Sequence, residues 1–479
     1  MRIIKYILIT FIAAATIVGC DKDFEEINAN IDDPVTVPSS MLIGTTIRYM
    51  ANELYSTFNG VEHGETWVQH LSLIQYNDPE RYKPRINTMD NLWYYFYRSA
   101  STAHQMYKLA EEEGNEVNQG IALVIKAYAF SQLTDFFGDV PYTDALLGPS
   151  DGMFTPTYDR QEVVYDGVLS LLDQAMPLLE SGNGTTDPNM DIVYAGDAGK
   201  WVKFAASLKF RSLMRISAKK DVSSQLQELV NSGNLFASVD DEAKLVYLSA
   251  SPEANPMYET IIGDGRKEFH LAKTLVDYLS ENSDPRLAVY AEPAVTSGTY
   301  VGKPSGYEES PLPGYGYDDV SSIGAKYLEP TAPAYFISYT ELLFLMSEAA
   351  HQGYISGGDV SAEIYFEKAV RNSFVENGLA SVADDYVGLN VFAYDASAAL
   401  ERIGRQKWIA LYCQGFEAWT EWRRTGFPQL TPAADAFIDN IPSRLRYESN
   451  ESSVNGTSYK AVIQQQGPDE LTTKIWWMK

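Results

Sequence analysis

Large apolar residues recur at helical spacing through most of the chain, most densely near its C-terminal end. The residues on one stripe of that run, at i, i+3, i+4, i+7 and i+11, are Trp408, Leu411, Tyr412, Gly415 and Trp419. A glycine at 426 and a proline at 428 are residues that end helices. We therefore predict one helix over residues 395–425.

The same spacing predicts helices along the rest of the chain. Ser39 or Ser40 is the expected start of the first helix, Asn91 of the second and Asn118 of the third. Ser338 and Glu341 match a capping box. Later helices are predicted near residues 160–179, 201–215, 222–231, 270–281, 338–351 and 359–377.

Alternation of apolar and polar residues, which is typical of strands, is scarce. The sequence therefore predicts a mainly α fold. Helices of similar size follow one another in pairs, which favours a helical-repeat scaffold, although no clean sequence period is present.

Two loop-rich regions interrupt the helices, at residues 60–85 and 291–333. The second is rich in Gly, Pro, Ser and Tyr, and a loop of that length in a compact body is usually functional or disordered. Aromatic rings can stack on sugar rings or peptide groups, and polar neighbours can hydrogen-bond to the ligand. The predicted ligand-binding residues are Trp67, Tyr76, Arg81, Tyr82, Tyr300, Tyr307, Tyr315 and Tyr317. The alternative for Trp67 is a place in the core.

The first residues have the pattern of a targeting segment. Arg2 and Lys5 precede an apolar run at residues 7–18, and small residues lead to Cys20. This order resembles a bacterial lipobox, which predicts a signal peptide at residues 1–19 and lipid on Cys20. We interpret the acidic residues that follow, up to 38, as a tether, and residues 39–479 as a single folded domain.

Charge and motif content exclude several classes of function. The net charge of −27 argues against nucleic acid and anionic lipid as partners. Cys413 is expected to be a buried thiol within a helix. Asp318 and Asp319 could help to hold a structural calcium, although solvated loop charge is the plainer interpretation, and we expect no other cofactor.

The acidic and basic residues of the C-terminal helix allow two interpretations. Glu417, Glu421, Arg423 and Arg424 could form a catalytic row or could pair with charges on neighbouring helices. No nucleophile, metal motif or Gly-rich loop accompanies them. We therefore favour pairing, and predict no enzymatic activity.

Several segments, taken together and in order, resemble the SusD/RagB family of outer-membrane nutrient-binding lipoproteins, most closely its SusD-like 2 branch. They are the Cys20 lipobox, DFEEINAN (23–30), LTDFFGDVPYTDAL (133–146), WVKFAASLKFRSLMRIS (201–217), ISYTELLFLMSEAAHQG (337–353), QKWIALYCQGFEAWTEWRRTGFP (406–428), IPSRLRYESNE (441–451) and TKIWW (473–477). In IPSRLRYESNE the chain departs slightly from the branch, which usually has Pro after the Tyr.

The resemblance implies tetratricopeptide-like helix pairs, a ligand-binding face built from loops, and no catalysis. It also implies a place on the outer leaflet of the outer membrane, where the protein would deliver oligosaccharide to a SusC-like TonB-dependent transporter. Three alternatives stay open at this point: a peptide or another nutrient as ligand, a glycan-processing hydrolase, and a purely structural adaptor.

Overall fold

The first part of the folded body is built mainly from long helices. The computed structural model describes residues 37–148 and 152–479, and residues 39–479 pack as one unit. A π-helical segment, Thr57–Glu65, follows the first helix. The elements are α1 (Met41–Tyr55), β1 (Leu71–Leu73), α2 (Ile86–Glu112), α3 (Glu116–Phe137), α4 (Gln161–Glu180) and α5 (Ala198–Ile216).

The second part adds shorter helices and three short strands, with single helical turns between them. The elements are α6 (Ser223–Ser232), β2 (Ala243–Leu245), β3 (Phe269–Leu271), α7 (Lys273–Glu281), β4 (Ala334–Ile337), α8 (Tyr339–His351), α9 (Gly358–Glu376), α10 (Ala399–Ala410), α11 (Gly415–Thr425) and α12 (Gly456–Gln465). The mainly α prediction is therefore confirmed.

Helices that are neighbours in sequence pack against each other, in the order α2, α3, α4, α5, and again as α8 with α9. The connections between α2 and α3 and between α8 and α9 are short, which is usual for antiparallel neighbours. The strands form two antiparallel pairs, with Leu71 opposite Leu271 and Ala243 opposite Ile337. The long loop at residues 291–333 is tied to the first pair, because His270 bridges to Ser322.

Two predicted helix starts are wrong. The second helix begins five residues before Asn91, at Ile86, and Asn91 lies inside it. The third is capped by Asn115, whose side chain accepts a hydrogen bond from the backbone of Asn118 at 3.0 Å. Asn118 is a buried residue within α3 and not its cap. The N-cap at Ser338 is confirmed, since its hydroxyl accepts from the Glu341 amide at 3.1 Å. The capping box is incomplete, because neither carboxylate oxygen of Glu341 has a hydrogen-bond partner in the described part of the chain.

The predicted helix over residues 395–425 is two helices, α10 and α11, separated by a turn. Cys413 lies in that turn with a φ of 61°, a left-handed conformation that interrupts a helix. The apolar stripe spans the break because its large residues are buried both before the turn, as Trp408 is, and after it, as Trp419 is. Cys413 is buried as predicted, but it does not lie within a helix.

Gly415, the first residue of α11, allows two backbones to touch. A Cβ on Gly415 would lie 2.4 Å from the amide nitrogen of Glu65, and one on Gly64 would lie 2.4 Å from the carbonyl carbon of Gly415. Neither distance is sterically allowed. The two glycines therefore let the π-helical segment rest directly on α11.

The charged residues of α11 pair with neighbouring helices, as favoured from sequence. Arg215 of α5 contacts Glu421, donates to Glu417 at 2.8 Å and lies 3.4 Å from Asp135 of α3. Lys407 of α10 donates to Glu421 at 2.8 Å.

Arg424, also on α11, is held by two acids. It donates to Glu348 of α8 at 2.6 Å and to Glu421 at 2.8 Å. Burial opposes ionisation of Glu421, but the three neighbouring cations hold its pKa well below its usual range. The result is one buried network that joins five helices.

Three predicted features of the N-terminus, the signal peptide, the lipidated Cys20 and most of the tether, lie outside the described residues. Within residues 37–148 and 152–479, no helix is both long enough and apolar enough to cross a membrane.

Replacing Trp419 by Ala is expected to lower the free energy of unfolding by about 3–5 kcal/mol. The ring is fully buried, lies 5.1 Å from that of Trp67, and donates from Nε1 to Pro442 at 2.8 Å. Urea denaturation measures the loss. Trp422→Ala on the same helix is the matched control and should cost less, because Trp422 is only half-buried. A Trp419→Ala protein as stable as the wild type would contradict the assignment of this residue to the core.

Candidate functional site

Three loops meet on one side of the body: residues 74–85, 303–319 and 430–439. Asn77 of the first loop donates its side-chain amide to the carbonyl of Tyr307 in the second. The Asp435 amide in the third loop donates to Gly306 of the second at 2.8 Å. Each loop is therefore fixed by another, which gives a defined surface without regular secondary structure.

A buried ion pair anchors the first two loops underneath. Glu80 and Lys303 are both fully enclosed, with 3.5 Å between the carboxylate and the ammonium. Glu80 also accepts hydrogen bonds from Ser72 at 2.6 Å and from the Gly306 amide at 2.9 Å. A buried charge is costly unless it is paired and hydrogen-bonded in this way. The pair therefore favours a single arrangement of the loops.

Arg81 joins the first loop to the third. Its Nε donates to the Asp435 carbonyl at 2.7 Å, and its own carbonyl accepts from the Phe437 amide at 2.9 Å. The guanidinium lies 4.5 Å from the centre of the Phe437 ring, and the Lys83 ammonium lies 4.8 Å from it. Phe437 remains 48% exposed, so much of its ring is open to a ligand.

The Tyr76 side chain projects from the first loop into solvent. Its φ of 58° is uncommon for an aromatic residue, and its side chain is 63% exposed. Arg266 lies 5.7 Å from the Tyr76 ring and 5.1 Å from that of Phe58 in the π-helical segment. Tyr317 of the second loop reaches the same area, where its hydroxyl donates to Gln75 at 2.8 Å.

We call this surface the aromatic face. Its open part is a cavity of about 460 Å³, lined mainly by the first loop and by Ser310 of the second. Rings alternate with cations, and each cation pairs with a carboxylate. The face can therefore stack on flat groups and can donate the hydrogen bonds that these ion pairs leave free. Its members are Phe58, Tyr76, Arg81, Lys83, Arg85, Arg266, Tyr307, Tyr317 and Phe437.

Three of the predicted ligand-binding residues, Trp67, Arg81 and Tyr82, are buried, which is a correction. Arg81 is only 7% exposed, and its Nε is already used by the Asp435 carbonyl. Trp67 has no exposed surface, and its indole donates to the Pro79 carbonyl at 3.0 Å. Tyr82 is 3% exposed, and its hydroxyl accepts from the Ala433 amide at 2.8 Å. Neither of these two rings can contact a ligand on the aromatic face. They support the face from below.

The other predicted residues divide into two groups. Tyr76, Tyr307 and Tyr317 are exposed in the aromatic face, beside the buried Arg81. Tyr300, just before the second loop, and Tyr315, within it, are half-buried, and Tyr300 packs against the core.

Sequence reasoning missed Phe58, Lys83, Arg85, Arg266 and Phe437. Phe437 is the one aromatic residue of ADAFIDN (434–440), where small and polar residues prevail, which is a signal that a loop exposes it. No comparable signal marks Phe58 or Arg266, since they join the face only through the fold.

Two other candidate sites are less suited to a ligand. A cavity of about 200 Å³ lies beside α10 and α11, but its lining includes Arg215, Lys407 and Glu421, which already satisfy one another. Asp319 accepts from Thr296 at 2.9 Å and from the Gly316 amide at 3.1 Å, so its carboxylate holds a turn. In the described part of the chain, no group of three His, Cys, Asp or Glu residues could hold a metal ion.

Comparison with known families decides the identity of the fold. The profile of a family described as starch-binding and associating with the outer membrane matches residues 31–448. The chain belongs to this SusD-like 2 family. The resemblance drawn from the sequence segments is therefore confirmed, and with it an association of the family with glycan and the outer membrane. A comparison with characterised protein sequences finds no match.

Solved SusD-like structures share the architecture. A chitin-binding protein is 26% identical, with a TM-score of 0.81, over 92% of this chain and 99% of that one. A SusD homologue from Bacteroides uniformis is 26% identical, with a TM-score of 0.77, over 91% and 99%. A chitin-binding SusD homologue from Flavobacterium johnsoniae is 23% identical, with a TM-score of 0.78, over 91% and 98%. The predicted tetratricopeptide-like arrangement is confirmed.

Two acids beneath the aromatic face of this SusD-like protein have shifted pKa values. Burial raises the pKa of Glu62 to about 7, although Arg85 donates to it from two nitrogens at 3.0 Å each. Burial likewise raises the pKa of Glu53 to about 7, against the hydrogen bond from Asn59. Glu62 pairs with Arg85 of the aromatic face, so its ionisation near neutral pH changes the charge at the base of the face.

Stability of the SusD-like domain should fall between about pH 4.5 and 7 because of Glu53. In that window the unfolded chain has released the proton and the folded chain keeps it. The free energy of unfolding therefore falls as pH rises. Glu53→Gln should remove roughly 1–3 kcal/mol of this loss. Urea denaturation at pH 4.5 and 8 measures it, with Glu329→Gln as an exposed control. An equal pH dependence in the Glu53→Gln and wild-type proteins would contradict the burial argument.

Proposed function

We propose that the protein captures an oligosaccharide on the aromatic face and delivers it to a SusC-like TonB-dependent transporter in the outer membrane. The observation that carries this proposal is the convergence of exposed rings and cations from three interlocked loops. Pre-ordered rings bind with little loss of conformational entropy. The membership in a glycan-binding, outer-membrane family supports the same assignment.

The first ligand to test is a chitin oligosaccharide. A relative with 26% identity over most of both chains is a chitin-binding protein, and the family description names starch. The acetamide groups of chitin offer hydrogen-bond acceptors to guanidinium and ammonium groups. Its pyranose rings offer C–H faces to the exposed Tyr76 and Phe437 rings.

The N-terminal residues complete the proposal. Residues 1–19 would be removed as a signal peptide, lipid on Cys20 would anchor the protein, and residues 20–38 would tether the domain formed by residues 39–479. A tether of this kind lets a binding domain move relative to the transporter while it stays at the cell surface.

We expect binding without catalysis. The hydrolase alternative predicts that a labelled oligosaccharide is shortened on incubation with the purified protein, whereas a binding protein returns it intact. A peptide ligand would instead show affinity for a peptide library and none for glycans.

Replacing Tyr76 or Phe437 by Ala is expected to weaken chitohexaose binding about tenfold each. Loss of a central aromatic contact commonly costs more than 1 kcal/mol, and about 1.4 kcal/mol is a tenfold change in affinity. Isothermal titration calorimetry measures the change, with maltohexaose in a parallel series for the starch-type ligand.

The matched control for these variants is Phe154→Ala, which removes a ring that is 78% exposed on another segment. Its affinity should equal that of the wild type. If all three variants bound as tightly as the wild type, the aromatic face would not be the site.

Cys20→Ala should release the protein from the outer membrane. In the proposal the lipid on Cys20 is the anchor, and replacing the cysteine removes the sulfur that carries it. Cell fractionation without the transporter measures the effect, because the transporter could otherwise retain the protein. A Cys20→Ala protein that still fractionates with the outer membrane would show that the anchor lies elsewhere.

A further inference from the structure

A second aromatic cluster lies on α1 and α2, away from the three loops. The rings of Tyr49 and Tyr95 are 5.4 Å apart, and those of Tyr94 and Tyr95 are 5.1 Å apart. The guanidinium of Arg98 lies 4.6 Å from the Tyr49 ring, and its Nη1 donates to the Tyr94 hydroxyl at 3.3 Å. Tyr94 is 54% exposed. Tyrosines in such a cluster are not required to fill the core.

Arg98 is an exposed arginine that lies among tyrosines. The net charge is −27, yet Arg98 pairs with none of the carboxylates in the described part of the chain and lies against tyrosine rings instead. An arginine that no acid neutralises keeps its hydrogen-bond donors available. An exposed contact between an arginine and tyrosine rings contributes little to the stability of the fold. Ligand binding is therefore the favoured reason for this cluster.

The cluster is connected to the aromatic face by the two helices. Arg85, the residue that caps α2, lies 5.6 Å from the Phe58 ring, and Phe58 follows the end of α1. At a rise of about 1.5 Å per residue, Tyr94 lies about 14 Å along α2 from Arg85. Both helices therefore run from the aromatic face to the cluster.

An exposed polar stripe of α2 extends from the aromatic face to the second cluster. Its members lie at i, i+4, i+7 and i+11, so they share one side of the helix. They begin two residues after Arg85 and are all exposed. The stripe consists of Asn87, Asn91, Tyr94 and Arg98.

We propose that Tyr49, Tyr94, Tyr95 and Arg98 form a second subsite for a distant part of the same glycan chain, with Asn87 and Asn91 as hydrogen-bond donors between the two sites. This inference rests on the proposed function, because it assigns the cluster to the glycan that the aromatic face binds. Two subsites on one polymer raise the affinity for long chains through effective concentration, while short chains reach only one of them.

The test compares ligands of two lengths on the full folded domain. The double variant Tyr94→Ala, Arg98→Ala should bind chitohexaose about tenfold more weakly and chitotriose unchanged, by isothermal titration calorimetry. Both side chains are exposed, so thermal unfolding should match the wild type. Gln105→Ala, at an exposed position farther along α2, is the control and should bind both ligands as the wild type does.

The possible results separate the two proposals. An unchanged affinity of the double variant for chitohexaose, or an equal loss for both lengths, overturns the second subsite. If Tyr76→Ala and Phe437→Ala still weaken binding in that case, the proposed function stands. A wild-type protein that binds neither the two chitin oligomers nor maltohexaose overturns both.

Discussion

The buried ion network around α11 is the constraint on which the rest of the structure depends. Arg215, Lys407 and Arg424 surround Glu421 from three helices, and none of these charges could be buried alone. Removing one partner would leave the others uncompensated in the core. The helices that supply them therefore have one relative arrangement in which all charges are satisfied, and the apolar packing around them must conform to it.

The same helix positions the candidate site. The N-terminus of α11 contacts the π-helical segment backbone to backbone at Gly415 and Gly64, and that segment carries Phe58. Trp419 packs against Trp67, whose indole holds the first loop at Pro79. Helix position is thus transmitted to loop position through rigid contacts. The stability of the scaffold and the order of the aromatic face have a common origin.

Sequence patterns predicted the helices well because burial imposes a period on them. The break at Cys413 was missed because large buried residues occur both before and after the turn, so the apolar period continues through it. In the loops no period exists, and residue type alone could not separate Tyr76, which is exposed, from Tyr82, which supports the loop. Phe58 and Arg266 are distant in sequence, so their contact depended on tertiary structure.

The construction of the site separates the contacts that hold the fold from the side chains that can meet a ligand. Glu80 and Lys303 anchor the loops from within the body, whereas Tyr76 and Phe437 are largely in solvent. Exchanging an exposed ring changes what the face can bind but leaves the buried pair and the core packing intact. Exchanging a buried anchor would alter every loop at once. Ligand choice can therefore diverge through few surface positions while selection for stability retains the interior.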